Sequence, residues 1–136
     1  MITVSTVINN KTVAQVWDYF TNPKRVVNWN HASDDWHCPK TENNLEVGKS
    51  FTYTMDAKNG EMSFDFSGIY TEIEAFSKIS YVLADERKIF VTFKETENGI
   101  EVVEKFDPEN ENSEELQQTG WQMILNNFKK YIEASN

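Results

Sequence analysis

Two histidines, two aspartates and the single cysteine crowd into His31-Ala32-Ser33-Asp34-Asp35-Trp36-His37-Cys38-Pro39, a stretch that holds every common transition-metal ligand type. A zinc site would ask for four such groups at regular short spacings, usually with more than one thiol. This stretch matches no such spacing, and turn-forming acids in a loop explain it more cheaply. No metal is assigned. Nucleophilic catalysis by Cys38 meets a related objection. Neighbours on a strand point to opposite faces, so His37 cannot easily activate the thiol and His31 would have to reach it.

Glu104 is the next residue with chemical potential. It alternates with Ile100, Val102 and Phe106, which puts a carboxylate on an apolar face. Pointing inward, it must be paired or hydrated. Desolvated, it would have a raised pKa and could serve as general base or ligand acceptor. The simpler alternative leaves Glu104 at a frayed strand end, reaching solvent or pairing with Arg87 or Lys105. No Ser-His-Asp order, phosphate-binding glycine loop or dinucleotide fingerprint accompanies it, so catalytic residues stay unassigned and no cofactor is implied.

The third group lies near the C-terminus. Spaced at helical intervals, Leu116, Trp121, Ile124, Leu125, Phe128, Tyr131 and Ile132 share one half of a wheel, while Gln118, Gln122, Asn126, Lys129 and Glu133 occupy the other. Gln117, Gly120 and Asn127 interrupt the apolar half. Glycine costs about 1 kcal/mol relative to alanine inside a helix, so Gly120 needs a reason. Either a ligand fills the missing volume and Asn127 hydrogen-bonds it, or a bulky neighbour such as Trp17 or Phe64 packs there and Asn127 bonds to backbone.

The elements that must position these groups follow from periodicity. Ile2, Val4, Thr6 and Ile8 alternate as a first strand. Thr12 caps a helix with Val13, Val16, Trp17 and Phe20 on one face, and Asn22-Pro23 starts a short second one. A short strand around Asp35 to Lys40 would end at Pro39. Strands then follow quickly: Phe51, Tyr53, Met55; Met62, Phe64, Phe66; Ile69, Thr71, Ile73; Ile79, Tyr81, Leu83; Ile89, Val91, Phe93; and Ile100 to Phe106. Gly68 marks an expected bulge with a change of phase. Asn-Gly pairs at 59–60 and 98–99 turn hairpins, so the sheet is antiparallel. Asn112 or Ser113 caps the final helix of about twenty residues. The fold class is α+β: two short helices after the first strand, then a strongly bent antiparallel sheet around one long C-terminal helix. Residues 1–136 are read as one domain.

Composition narrows the partners. The net charge of −9, from 22 acidic and 13 basic residues, disfavours nucleic acid and anionic membrane surfaces alike. One cysteine excludes an internal disulfide, the N-terminus reads as a strand, and no run approaches the ~20 apolar residues of a membrane span. The cytoplasm is the default location. Nine Phe, five Tyr and four Trp supply large flat side chains for a core or a cavity wall.

Several segments resemble a known family. They are Val16-Trp17 with Thr21-Asn22-Pro23 and Trp29; Gly48-Lys49-Ser50-Phe51; Phe66-Ser67-Gly68-Ile69-Tyr70-Thr71-Glu72-Ile73; and Gly120-Trp121 with Ile124-Leu125-Asn126-Asn127-Phe128-Lys129-Lys130-Tyr131. Their order is similar to that of the START-like (SRPBCC) superfamily with its helix-grip fold, and within it to the branch named for activators of the heat-shock-protein-90 ATPase. The resemblance implies a deep cavity between the long helix and the concave sheet. Together with the helical wheel and the aromatic strand faces, this leads to a small hydrophobic or amphipathic ligand held by Trp29, Trp36, Phe51, Phe64, Phe66, Trp121, Ile124 and Phe128, with Glu104 and Asn127 as polar anchors. Two alternatives accompany it: a cyclase- or hydrolase-like enzyme using Glu104 with His31 or His37 at the pocket mouth, and a regulator that docks on a chaperone ATPase.

Overall fold

The computed structural model describes residues 1–135. In chain order its elements are β1 (Ile2–Ile8), α1 (Val13–Thr21), α2 (Pro23–Val26), β2 (Trp36–Asn43), β3 (Ser50–Ala57), β4 (Ser63–Glu74), β5 (Lys78–Val82), β6 (Lys88–Thr96), β7 (Gly99–Phe106) and α3 (Glu114–Glu133). The strands form one antiparallel sheet ordered β1-β7-β6-β5-β4-β3-β2. Strands β2 to β7 are a continuous meander. β1 joins β7 in a register running from Ile2↔Phe106 to Ile8↔Ile100. β1 and β2 remain the two edges, so the sheet is a curled half-barrel with the helices in its concavity. The α+β helix-grip architecture is as the sequence implied. Among the described residues no helix is long and apolar enough to cross a membrane.

Local chemistry explains the helix boundaries. Thr12 and Gln15 form a reciprocal capping box at the start of α1, and Asn22 caps α2 with Pro23 in its first turn. The Ser113 hydroxyl accepts from the Leu116 N–H at 3.1 Å, which settles the cap of α3. Phe106, Phe128, Ile8, Ile89, Leu125 and Ile132 are the bulkiest fully buried side chains, so α3 and both strands of the β1–β7 pair share one core.

Three expectations need correction. β2 does not stop at Pro39 but continues to Asn43, with its register shifted between His37 and Lys40. It is an edge strand, where proline's missing N–H removes no ladder bond. Gly68 is no bulge, because β3 and β4 pair across it without a shift and the irregularity lies later, between Tyr70 and Glu72. Tyr70 therefore stays buried, while Ile69 faces out. Leu116 is 59% exposed despite its place on the apolar half of the helix. Gln117 takes the buried position in that turn. Its amide donates to the carbonyls of Glu109 (3.1 Å) and Asn112 (2.8 Å) and accepts from the Glu109 N–H (2.8 Å), which ties down the acidic connector.

The polar half of α3 is not simply solvated. Gln118 Nε2 donates to the Thr3 carbonyl at 3.2 Å and Gln122 Nε2 to the Ser5 carbonyl at 3.0 Å. Lys129 Nζ donates to the Val7 carbonyl, and the Asn9 N–H donates to Glu133 Oε2 at 2.8 Å. These are alternate backbone groups along the free edge of β1 and the residue that follows it. The geometry matches, since fifteen helical residues rise about 22 Å and six extended ones about 20 Å. The helix thus covers an exposed strand edge with its own side chains.

Candidate functional site

With α3 stitched to β1, its inner face lies above the sheet at the β7 side. Trp121 stacks flat on Phe106, centroids 3.9 Å apart, and meets the edge of Phe66 at 6.0 Å. Further round the curl, the helix and the sheet leave a cavity of about 230 Å³. β3 contributes Phe51, Tyr53 and Met55 to its wall; β4 contributes Phe64, Phe66 and Tyr70; β5 contributes Ile79 and Tyr81; and β7 contributes Glu104. Trp121 and Ile124 cover it from α3, and Phe20, Thr21, Trp29 and Asn30 close the side toward α1 and α2. Phe64 is half exposed, at 50%, so the wall includes a rim open to solvent.

The rings are pinned and do not fold into the space. Phe51 meets Tyr81 edge to face at 4.8 Å. Both lie against Gly68, where a Cβ would come 2.9 Å from Tyr81 Cδ2 and 3.0 Å from Phe51 Cε1. This crowding accounts for the glycine. Trp29 donates its indole N–H to the Tyr19 carbonyl at 2.9 Å and packs edge to face on Phe128 at 4.9 Å. Tyr70 donates to Asn43 Oδ1 at 2.5 Å, and Asn43 donates to the Thr21 carbonyl at 2.7 Å, joining β4, β2 and the end of α1.

Electrostatically the cavity is singular. Glu104 is 8% exposed, and burial alone raises its pKa to about 8. Its cross-strand partners are Val4 and Val91. The reading that sent it to solvent or to Arg87 or Lys105 is therefore overturned: strand alternation carried the carboxyl inward, and no cation follows it. Burial also raises Tyr53 and Tyr81 and pushes Tyr70 up to about 12, so all three phenols stay neutral at physiological pH.

Of the ten residues read as ligand contacts, the structure brings seven together on this wall: Trp29, Phe51, Phe64, Phe66, Glu104, Trp121 and Ile124. Trp36, Asn127 and Phe128 are not among them. Trp36 lies on edge strand β2 against the outer part of Phe64, centroids 5.7 Å apart. Phe128 is fully buried behind Trp29 and Phe20. Asn127 donates its amide to the His31 carbonyl, which tethers the loop after α2 and makes it a backbone partner. Gly120 is not in the wall either. A Cβ there would meet nothing within 4 Å, so neither a bulky neighbour nor the cavity explains it. The hollow lies beneath Trp121 and Ile124.

The structure adds Phe20, Thr21, Asn30, Tyr53, Met55, Tyr70, Ile79 and Tyr81 to the wall. Alternation on β3 and β5 already carried Tyr53, Met55, Ile79 and Tyr81 inward. Tyr70 was hidden by the false change of phase at Gly68. The proposed pairing of Glu104 with His31 or His37 is not assembled, since neither imidazole lines the cavity; each has a buried Nδ1 without a hydrogen-bond partner among the described residues. Burial lowers the pKa of His31 and raises that of Cys38, so the thiol is neutral. Among the described residues, no three of His, Cys, Asp and Glu converge on a metal-binding arrangement.

Comparison with known proteins places this geometry. Residues 10–133 match the family model described as Activator of Hsp90 ATPase homolog 1-like protein. The solution structure of the AHSA1-like protein from Aeromonas hydrophila is 39% identical, covering 98% of this chain and 92% of that one, with a TM-score of 0.91. A Cytophaga hutchinsonii protein is 44% identical over 97% of this chain and 91% of its own, with a TM-score of 0.84. A Nitrosomonas europaea protein shares the fold at 14% identity, covering 99% of this chain and 95% of its own, with a TM-score of 0.82. No curated protein matches the chain.

Proposed function

The chain belongs to the Activator of Hsp90 ATPase homolog 1-like family, and on that premise we propose that it binds one small apolar or amphipathic molecule between the curled sheet and α3. The observation that carries this reading is the unfilled space of about 230 Å³ walled largely by aromatic rings. An apolar cavity of ~150 Å³ suffices to hold a benzene ring, so the space suits a molecule of one or two rings. Pockets of this kind pair a hydrophobic lining with a few convergent polar groups, here Glu104, Thr21, Asn30 and the phenols. No carboxylate–imidazole pair faces the space, so binding requires less of the residues present than the histidine-assisted catalysis considered above.

Thermal melting with indole as a neutral one-to-two-ring probe tests the proposal. A ligand at ~100 times its Kd stabilises the folded state by about 2.7 kcal/mol, which raises Tm by several degrees. The variant Ile124→Trp fills the space from α3 and should melt cooperatively while losing that response. No shift for the wild type, or an equal shift for the filled variant, would remove the proposal.

A second reading comes from the family's description: docking on a heat-shock ATPase. Pull-down with the purified ATPase is its test, and absence of binding at micromolar concentration ends it.

A further inference from the structure

The cavity contains one carboxyl group and no cation. Glu104 stands on the inner face of β7, between Val102 and Phe106 along its own strand and between Val4 and Val91 across the sheet. Its neighbours along the strand and across the sheet are apolar, so the carboxyl is the ionisable exception on this face. No lysine or arginine lines the space, and the ion pairs of the described residues lie on outer, solvent-reached side chains such as Lys78–Glu72 and Arg87–Asp85. The titratable groups facing Glu104 are phenols: Tyr81 from β5, with Tyr53 of β3 and Tyr70 of β4 further along the wall. α3 presents only Trp121 and Ile124, and the segment after α2 presents only Trp29 and Asn30.

Resting on the reading of this space as a ligand site, we infer that its occupant is an organic cation: an ammonium group on a one- or two-ring hydrocarbon, its nitrogen at Glu104 and its hydrocarbon against the aromatic wall. Once ionised, a buried carboxyl needs a counter-ion inside the protein; none of the described residues lining the space supplies one, so an arriving ammonium is the partner that lets it ionise. The faces of tryptophan, tyrosine and phenylalanine attract a cation within about 6 Å of the ring, most strongly when water is excluded. A net charge of −9 also raises the local concentration of cations around the molecule. A neutral apolar occupant would use the rings through dispersion alone and would leave the carboxyl without an ionic partner.

Proton linkage follows. The empty site holds Glu104 protonated below about pH 8, so the arriving cation displaces that proton. Apparent affinity is reduced by the fraction of carboxyl not yet ionised, about tenfold per pH unit below that point.

Calorimetric titration with phenethylammonium and with 2-phenylethanol, its neutral counterpart, decides the matter. At pH 8 the cation should bind wild type at least tenfold more tightly than the alcohol. At pH 7 it should release close to one proton, read from the dependence of the heat on the buffer. Glu104→Gln should lose the preference for the cation while still binding the alcohol. If the alcohol binds wild type as tightly as the cation, or Glu104→Gln keeps the preference, the inference is overturned and the cavity reading stands. If neither probe binds wild type, both fall. Should Glu104→Gln fail to fold, the wild-type pH series decides alone: an affinity for phenethylammonium that does not change between pH 6 and pH 8 overturns the inference.

Discussion

At the scale of single residues, Glu104 is where burial works against charge. In the unfolded chain its carboxyl ionises near the ordinary 4.5, and in the folded protein near 8. The native state therefore binds the extra proton across that interval. Its contribution to stability is complete below pH 4.5 and declines as pH rises toward 8, at up to ~1.4 kcal/mol per pH unit. Glu104→Gln, which mimics the protonated form, should gain on wild type steadily across the same range in urea unfolding; parallel curves would show the carboxyl to be solvated. Two glycines make a second, opposed pair. Gly68→Ala drives a methyl into the Phe51 and Tyr81 rings and should cost about 1–3 kcal/mol. Gly120→Ala meets open space and should stabilise by up to ~1 kcal/mol. The inward direction of Glu104 was legible from alternation alone. Its isolation was not, because the valines that surround it belong to β1 and β6. Gly68 was misread for a similar reason: a strand glycine can signal a bulge or a packed ring, and only the facing strands distinguish them.

At the scale of elements, the contact between α3 and β1 decides where the cavity lies. The helix is held along a strand edge by Gln118, Gln122, Lys129 and Glu133, so the space opens on the opposite side, toward β3–β5. Glu133→Ala removes the partner of the Asn9 N–H, and Gln122→Ala that of the Ser5 carbonyl. Each should lower stability by about 1 kcal/mol. Glu133→Ala should also speed hydrogen exchange at the Asn9 amide, whereas an unchanged exchange rate would mean that water replaces the side chain at no cost. Caps, hairpin turns and element order were readable because each depends on neighbours in sequence. The helical wheel separated polar from apolar residues correctly, yet polarity does not say whether the partner is water or a strand edge. The same limit applied to Asn127, an anchor by type but a loop tether in the fold.

At the scale of the whole molecule, a curled sheet closing on one helix leaves more space than their side chains fill. Pattern and resemblance together pointed to a space between helix and sheet and named seven of the fifteen residues that line it. Its position, beneath Trp121 and Ile124 and not beneath Gly120 and Asn127, depended on how the helix docks. The central claim is that this space accepts a small molecule. Titration of isotope-labelled protein with indole, followed by NMR, tests it most directly, because the aromatic and methyl signals of Phe51, Met55, Ile79, Tyr81 and Ile124 report the wall itself. Saturating shifts at these and the other wall residues, with surface positions such as Val47 and Phe76 unmoved, are the predicted result. Shifts restricted to exposed side chains, or a wall that does not respond up to the solubility limit, would contradict it.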